Sequence, residues 1–550
     1  MIDPERIDER SKDFARAKLQ RLEELKTIRA AREPELQEIA DYICPRRDFT
    51  LTPTKGATRT RRLMGTTGMV SHERFAAVLY GYMLSPATPF TQPRLLSREP
   101  TYEEDAYFDY VSRRMHTFFA SASNTFRTTM AEDVLDITGF GSSVLWQDKT
   151  PQGSKYLAVP FRQCYWDQNE WGEIDTNYRV YEMSLRRAAL KWRDSPALAK
   201  RMENSQSPEH EMVEVLHLVE PRVGGVRGSV REGMPWRDVN ILTEAMEVLD
   251  VGGHNRFKYN IGRFKTRPGD PLGQGAMWAA LPFCKLESAA FESWIRNAEK
   301  RADPALWTML PRGTAIERRP GQVNFFNQLM AVGMRDPRHL IQHLEEGGDT
   351  GVNTEVLRYL ANRIETATYI DWLTPNEGPQ KTATEVYDLR DLRLRTMGPI
   401  VARMEHEKMT GIAEQTYEDL DSLGWFGDPP ASLHDEEIGF EFKGPLATAQ
   451  RQGEGESILR TIEAGRGLAE IDPDVVHLFR SEPTVRKLAD VYGMDGSLLS
   501  SPAEYAERRE AQRELGNMQE EMQAATVASQ ALRDGAQGVA TLQAAQGGGA

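Results

Sequence analysis

Cysteine is scarce: Cys44, Cys164 and Cys284 are the only three in 550 residues. They lie far apart, no two have metal or redox spacing, and an odd number argues against a disulfide framework. They read as reduced core thiols in a cytosolic product. No stretch of ~20 apolar residues occurs, so no transmembrane helix is expected. The opening Met-Ile-Asp-Pro-Glu-Arg has no apolar region of the kind a signal peptide needs. Basic excess is missing as well, with 68 Lys and Arg against 82 Asp and Glu and a formal net charge of −14. Tight DNA binding draws on Lys and Arg that release counterions from phosphates. Tight, sequence-reading DNA binding is therefore disfavoured, whereas DNA passage with weak contacts stays open.

Local signatures of chemistry are each missing a part. A phosphate-binding loop needs a Gly-Lys pair before a hydroxyl residue, and no Gly-Lys dipeptide exists here. Residues 268–275 (Pro-Gly-Asp-Pro-Leu-Gly-Gln-Gly) read as a turn before a helix, and Gly139-Phe-Gly141 reads as a helix stop. His406-Glu407 opens like a zinc-protease motif, but Thr410 stands where the second His is required. His339 and His343 are spaced to share a helix face without a third ligand. No Gly-x-Ser-x-Gly elbow is present. The acidic run Glu103-Glu104-Asp105 suits the positive end of a helix. No catalytic activity, cofactor or metal is expected. Two basic patches, Arg59 with Arg61 and Arg62, and Arg312 with Arg318 and Arg319, are either solvated loops or contacts to phosphate or an acidic partner.

What is present is a globular composition, 40% hydrophobic and 27% charged. Apolar spacing predicts helices over residues 5–43 (interrupted at Pro34), 69–84, 102–120 and 124–138. Shorter alternating runs follow at 142–148, 155–161, 178–183, 213–219, 239–242, 247–251 and 259–265, with a helix over 184–202 between them. This describes a mixed α+β body. Two long helices, 277–302 and 352–372, bracket a Pro-, Gly- and Arg-rich stretch. The first carries a stripe of Leu286, Ala290, Trp294 and Ala298, widened by Phe291 and Ile295, so cover on more than one side is expected. The second places Val356, Leu360, Ile364 and Ala367 on one face. Thr374–Lys381 is a loop by its Pro and Gly content. Helix resumes at 382–397, halts near Gly398-Pro399 and continues to 422, followed by a strand at Ile438–Phe442 and helices over 446–464, 473–482 and 502–535. Thr382 or Thr384 caps the helix after the loop, with Glu385 in its first turn. Gly444-Pro445 reads as a strand-to-helix corner.

Several strings, in order, resemble the portal, or head–tail connector, family of short-tailed bacteriophages. They are Ile39-Ala-Asp-Tyr-Ile-Cys-Pro45, Phe75-Ala-Ala-Val-Leu-Tyr-Gly81, Leu84-Ser-Pro-Ala-Thr-Pro-Phe90, Gly139-Phe-Gly141 and Val215-Leu-His-Leu-Val-Glu-Pro-Arg222. The most specific are Lys381-Thr-Ala-Thr-Glu-Val386 and Phe442-Lys-Gly-Pro-Leu-Ala-Thr-Ala-Gln-Arg451. Phe90 stands where the family often has tryptophan.

The resemblance implies a ring with a central channel, twelve-fold, built from wing, stem, clip and crown. On this chain the wing would take residues 1–276 and 382–445, the stem helices 277–302 and 350–373, the clip 303–349, the tunnel loop 374–381 and the crown with a helical tail 446–550. Asn376, Glu377, Gly378, Pro379, Gln380 and Lys381 would then approach DNA in the channel, and Arg312, Arg318 and Arg319 would lie at clip contacts. Thr382, Thr384, Glu385, Gly444 and Pro445 would be structural. The implied partners are other copies of the chain, double-stranded DNA, the terminase large subunit, a tail adaptor, and the major capsid and scaffolding proteins, with no membrane. A different ring or adaptor component of the virion is the alternative; it would not need two long helices around a Pro/Gly/Arg segment.

Overall fold

The first corner of the chain falls at Pro34. Helix α1 (Lys12–Ala30) starts at Ser11, whose hydroxyl accepts the Phe14 N–H at 3.1 Å. Helix α2 (Glu33–Tyr42) takes Pro34 in its first turn, where a missing N–H costs nothing. The computed structural model describes residues 8–45, 64–84, 89–303, 306–308, 341–343, 350–370, 396–434, 436–442, 455–466, 478–492 and 498–546. They divide into two compact units, one of residues 1–91 and 114–425 with 444–446, the other of 92–113, 426–443 and 447–550.

The larger unit is α+β. After α3 (Thr67–Met83) the chain passes into the smaller unit with β1 (Thr91–Leu95) and the first part of α4 (Tyr102–Ala120); the end of α4, α5 (Phe126–Phe140) and the hairpin β2 (Ser142–Thr150) and β3 (Gly153–Val159) belong to the larger one. Strands β4 (Cys164–Gln168), β5 (Ile174–Ser184), β6 (Met212–Pro221), β7 (Trp236–Leu242) and β8 (Glu247–His254) form an antiparallel meander in chain order. Both of its faces are covered, because alternate residues point oppositely. Tyr178, Leu218, Val239 and Val251 are register partners and pack on Phe14, Leu22 and Leu25 of α1. Val213, Val215 and Leu242 turn the other way, onto α6 (Leu185–Lys191) and α7 (Pro196–Asn204). The single helix expected over 184–202 is thus two: Ser195 caps a new start, its hydroxyl accepting the Leu198 N–H at 3.2 Å, and Pro196 opens α7.

A second sheet orders as β3-β2-β9, with β9 at Tyr259–Arg263. Helix α5 lies against β2 and β3. Long helices α8 (Met277–Ala302) and α9 (Thr350–Ala367) follow, with β10 (Leu306–Thr308) and β11 (Ile341–His343) between them. His343 therefore sits in a strand, paired with Leu306, not on a helix face. Helix runs through Gly398 and Pro399 without the expected halt. The irregularity comes later, as a π turn at Glu405–Met409, before α10 (Thr410–Asp421).

In the smaller unit β1 pairs with β12 (Ile438–Phe442) over a core of Leu95, Phe108 and Leu433. Helical residues 455–466, α11 (Ser481–Tyr492) and α12 (Pro502–Gln546) complete it. Helix α11 begins at Ser481, where Ser-Glu-Pro is a start signal; most of the helix expected over 473–482 lies outside the described residues. Helix α12 passes through Gly535 and ends eleven residues (546 − 535) beyond the expected 535.

Candidate functional site: the paired helices and their anchors

Helix α8 packs against α9, and its first half also against α2, α3 and α5. Met277, Ala280, Leu281 and Cys284 form the buried face of that half. Gly68 of α3 allows the approach, since a Cβ there would lie 2.6 Å from the Cys284 Sγ. Burial pushes the Cys284 thiol up to about 12, so it is an inert core group. Glu287, also buried, accepts a hydrogen bond from the Thr67 hydroxyl, and desolvation raises its carboxyl above the usual range.

Beyond Ser288 no residue of α8 is fully buried. The stripe read from the sequence is not the face this chain buries: Leu286 is 56% exposed, and Ala290, Phe291, Trp294, Ile295 and Ala298 are only half-buried. Phe291 and Trp294 meet edge to face at 5.8 Å. On α9, Leu360 and Ile364 are buried as expected, but Val356 and Tyr359 are exposed, Tyr359 at 57%. The Arg363 guanidinium lies 6.0 Å from the Phe283 ring and 5.7 Å from the Tyr359 ring, bridging the two helices. Among the described residues of the pair, Leu286, Val356 and Tyr359 are thus apolar side chains left exposed, and the stripe beyond Ser288 is only partly covered.

Two anchors flank residues 371–395. On the α9 side, Thr368 and Ile370 are buried, and Tyr369 takes a left-handed φ of 63°. Its ring lies 5.8 Å from Phe75, and the Lys265 ammonium reaches its hydroxyl at 2.6 Å. Helix α9 ends at Ala367, five residues before the expected 372, and the positive φ just beyond it is a cost that the packing around the Tyr369 ring must offset. On the other side, the π turn aims Lys408 into the body. Its ammonium donates to both Asp133 oxygens at 2.6 and 2.5 Å and to the Ser143 hydroxyl at 2.6 Å. Neither Lys408 nor Asp133 touches solvent. Next to it, Arg263 grips Glu407 through Nε at 3.1 Å and a terminal nitrogen at 2.7 Å, and Arg403 adds a 3.0 Å contact. The anchors hold both ends of the segment on one body, the larger unit.

The residues singled out for DNA or partner contact lie in stretches outside those described. These are Asn376, Glu377, Gly378, Pro379, Gln380 and Lys381; Arg312, Arg318 and Arg319; Thr382, Thr384 and Glu385; Gly444 and Pro445; and Arg59, Arg61 and Arg62. The two glycine-rich strings are described, and they meet. Gly141 has φ 89°, and a Cβ on it would strike the Gly275 nitrogen; a Cβ on Gly275 would lie 2.6 Å from the Gly139 oxygen. They are a backbone crossing that seats the start of α8 on the end of α5, a non-local contact with no trace in either string. His217 is likewise structural: its ring bonds the Tyr259 hydroxyl at 2.6 Å and Asp238 at 2.7 Å, and His254 takes the other Asp238 oxygen at 2.7 Å. Burial opposes ionisation of Asp238, yet the two imidazoles hold its carboxyl far below the usual range. His406 is exposed, and its neighbour Glu407 is committed to Arg263. Among the described residues no cluster of three or more His, Cys, Asp or Glu is arranged to hold a metal ion, and no helix is long and apolar enough to cross a membrane.

A pair of long packed helices springing from an α+β body, with Leu286, Val356 and Tyr359 left exposed among the described residues, defines a protein with apolar helix surface open to assembly. Comparison with known families agrees: the model of the bacteriophage head to tail connecting protein family matches residues 15–499, and the chain belongs to that family. A curated relative, a probable portal protein of Bordetella phage BPP-1, is 25% identical over 503 residues, covering 88% of each chain. The protein is a portal-type head–tail connector, which locates it in the phage particle.

Proposed function

We propose that copies of this chain close into a ring, twelve-fold by family resemblance, through which double-stranded DNA is packaged and later ejected in a short-tailed phage. The observation that carries the proposal is the exposure of Leu286, Val356 and Tyr359 beside a half-buried apolar stripe on α8 and α9, in a member of the connector family. Head-to-tail contacts between unlike surfaces generate rings when the rotation closes. Leu286, Trp294 and Tyr359 of one copy would then be buried by the next. The ring would dock the terminase large subunit during packaging and a tail adaptor afterwards, within a shell of major capsid and scaffolding proteins. No catalytic step is assigned to it.

Charge supports the passage of DNA. Each phosphate contact adds a salt-dependent increment of affinity that must be broken at every step of translocation. A chain with a net charge of −14 keeps that friction low. Glu377, Gln380 and Lys381 would approach the duplex on a loop shaped by Gly378-Pro379, held by the Tyr369 and Lys408 anchors. Replacing Glu377 and Lys381 with alanine together is expected to change packaging rate or DNA retention while leaving assembly mass unchanged. Wild-type packaging and retention in that variant would remove the loop from the mechanism.

A further inference from the structure

The most exposed large apolar side chain among the described residues is Trp171, 81% open to solvent. Tryptophan is highly buried on average, so exposure of this extent needs a reason. Trp171 sits at the tip of the β4–β5 hairpin, and the tip is built to hold it still. The Asn169 side-chain oxygen accepts the Trp171 N–H at 2.9 Å and the Glu173 N–H at 3.0 Å. Gly172 takes the left-handed φ of 80° that the turn requires. From β9, the Arg263 guanidinium donates to the Gly172 carbonyl at 2.8 Å and to the Gln168 side-chain oxygen at 3.3 Å. Arg263 is itself buried and fixed by Glu407. A buried ion pair thus fastens a surface turn whose largest side chain stands in solvent.

Charge around the ring selects the kind of partner. From Gln163 to Tyr178 the chain has the carboxylates Asp167, Glu170, Glu173 and Asp175 and no Lys or Arg. Asp167 is taken by Arg21, and Asp175 is partly buried. Glu170 and Glu173 stay exposed, one place before and two places after Trp171. The Arg263 charge behind the turn is matched by Glu407. His406, 4.0 Å from Glu173, is charged only when protonated. An indole face attracts a cation better than the other aromatic rings do, and carboxylates beside it add to the attraction. Arginine answers both at once: its planar guanidinium stacks on a ring while its N–H groups bond carboxylates. Nucleic acid is disfavoured, since its phosphates would meet the same carboxylates. A tip already ordered loses little freedom when a partner arrives.

We propose that the β4–β5 tip is a docking point for an arginine-bearing segment of another protein, with Trp171 stacked on the guanidinium and Glu170 and Glu173 pairing with it. The probe is a synthetic (Arg-Ser-Gly)3 peptide, titrated by calorimetry into the full chain as single chains and as assembled particles. The control is the same peptide with citrulline in place of arginine, which keeps the shape and loses the charge. The arginine peptide is expected to bind both states and the citrulline peptide neither. Trp171→Ala should weaken binding roughly 10-fold, and Trp171→Phe by less. Glu170→Gln/Glu173→Gln should weaken it and make it less sensitive to salt. These positions are exposed, so each variant should keep the parent's secondary structure and particle mass. Equal affinity in parent and Trp171→Ala would reduce the binding to general attraction toward an acidic chain and overturn the proposal. No binding by the parent, or equal binding of the citrulline peptide, would do the same. Binding to single chains but not to assembled particles would show that a neighbouring copy covers the tip, and would overturn an outside partner.

Discussion

Lys408→Met removes one charge of a pair that has no contact with solvent. In the parent the ammonium sits 2.6 and 2.5 Å from the two Asp133 oxygens, with the Ser143 hydroxyl donating to Asp133 at 2.9 Å. Burial pushes the ammonium below its ordinary value, and Asp133 opposes that shift. Methionine fills nearly the same volume but leaves the carboxylate with one neutral hydroxyl partner, and an uncompensated buried charge costs about 3–5 kcal/mol. Lys408→Met/Asp133→Asn removes both charges and keeps an acceptor for Ser143. It is expected to lie within about 1–2 kcal/mol of the parent, because replacing a whole buried pair is often close to neutral. Urea denaturation of the unassembled chain, followed by circular dichroism, measures both. The pair is not the anchor described here if Lys408→Met costs under about 1 kcal/mol, or if the double variant is as unstable as the single one.

Three further outcomes follow from the geometry. Leu286→Glu/Tyr359→Glu should abolish or weaken assembly while the single chain keeps its secondary structure, because each apolar side chain gains about 1.5–3 kcal/mol on full burial; unchanged particle mass by light scattering would place the ring contact elsewhere. Gly141→Ala should cost roughly 3 kcal/mol or more, from a left-handed φ and a collision with the Gly275 backbone; a variant as stable as the parent would show that the crossing yields. Glu104, without solvent contact, accepts from Arg98 twice at 2.7 Å, from the Ser432 hydroxyl and from the Thr101 N–H, which hold its carboxyl below the usual range. A depressed carboxyl contributes stability that is complete above its unfolded pKa of about 4.3 and drains away as pH falls toward the folded value. The smaller unit should therefore loosen in acid below about pH 4, and Glu104→Gln should flatten that dependence in hydrogen exchange; an identical acid profile in parent and variant would contradict it.

Punctuation made most elements legible. Pro34, the Pro151–Gly153 turn and Gly141 mark boundaries that the backbone respects, and α8 spans the residues its periodicity indicates. Where reading from sequence missed, the signal was local but small. Ser195-Pro196 is a helix start inside an apolar run, Ser481-Glu-Pro is another, and Thr101-x-x-Glu104 is a capping box, so Glu104 does more than answer a helix dipole. Other features have no local signal at all. Lys408 and Asp133 are 275 residues apart, and the two glycine pairs are separated by the whole β region. The apolar stripe on α8 was visible, but sequence does not say whether a side chain's cover comes from its own chain. Single-chain burial shows that for Leu286 it does not. The expected clip residues Arg312, Arg318 and Arg319 and channel residues Asn376 to Lys381 lie outside the described residues and rest on the family pattern.

Averaged electron-microscope images of the purified full chain at high concentration test the central claim most directly. A closed ring with an open central channel wide enough for a DNA duplex, about 20 Å across, is the expected result, with twelve subunits by mass. A chain that remains monomeric, or a closed particle without a through-channel, would contradict it.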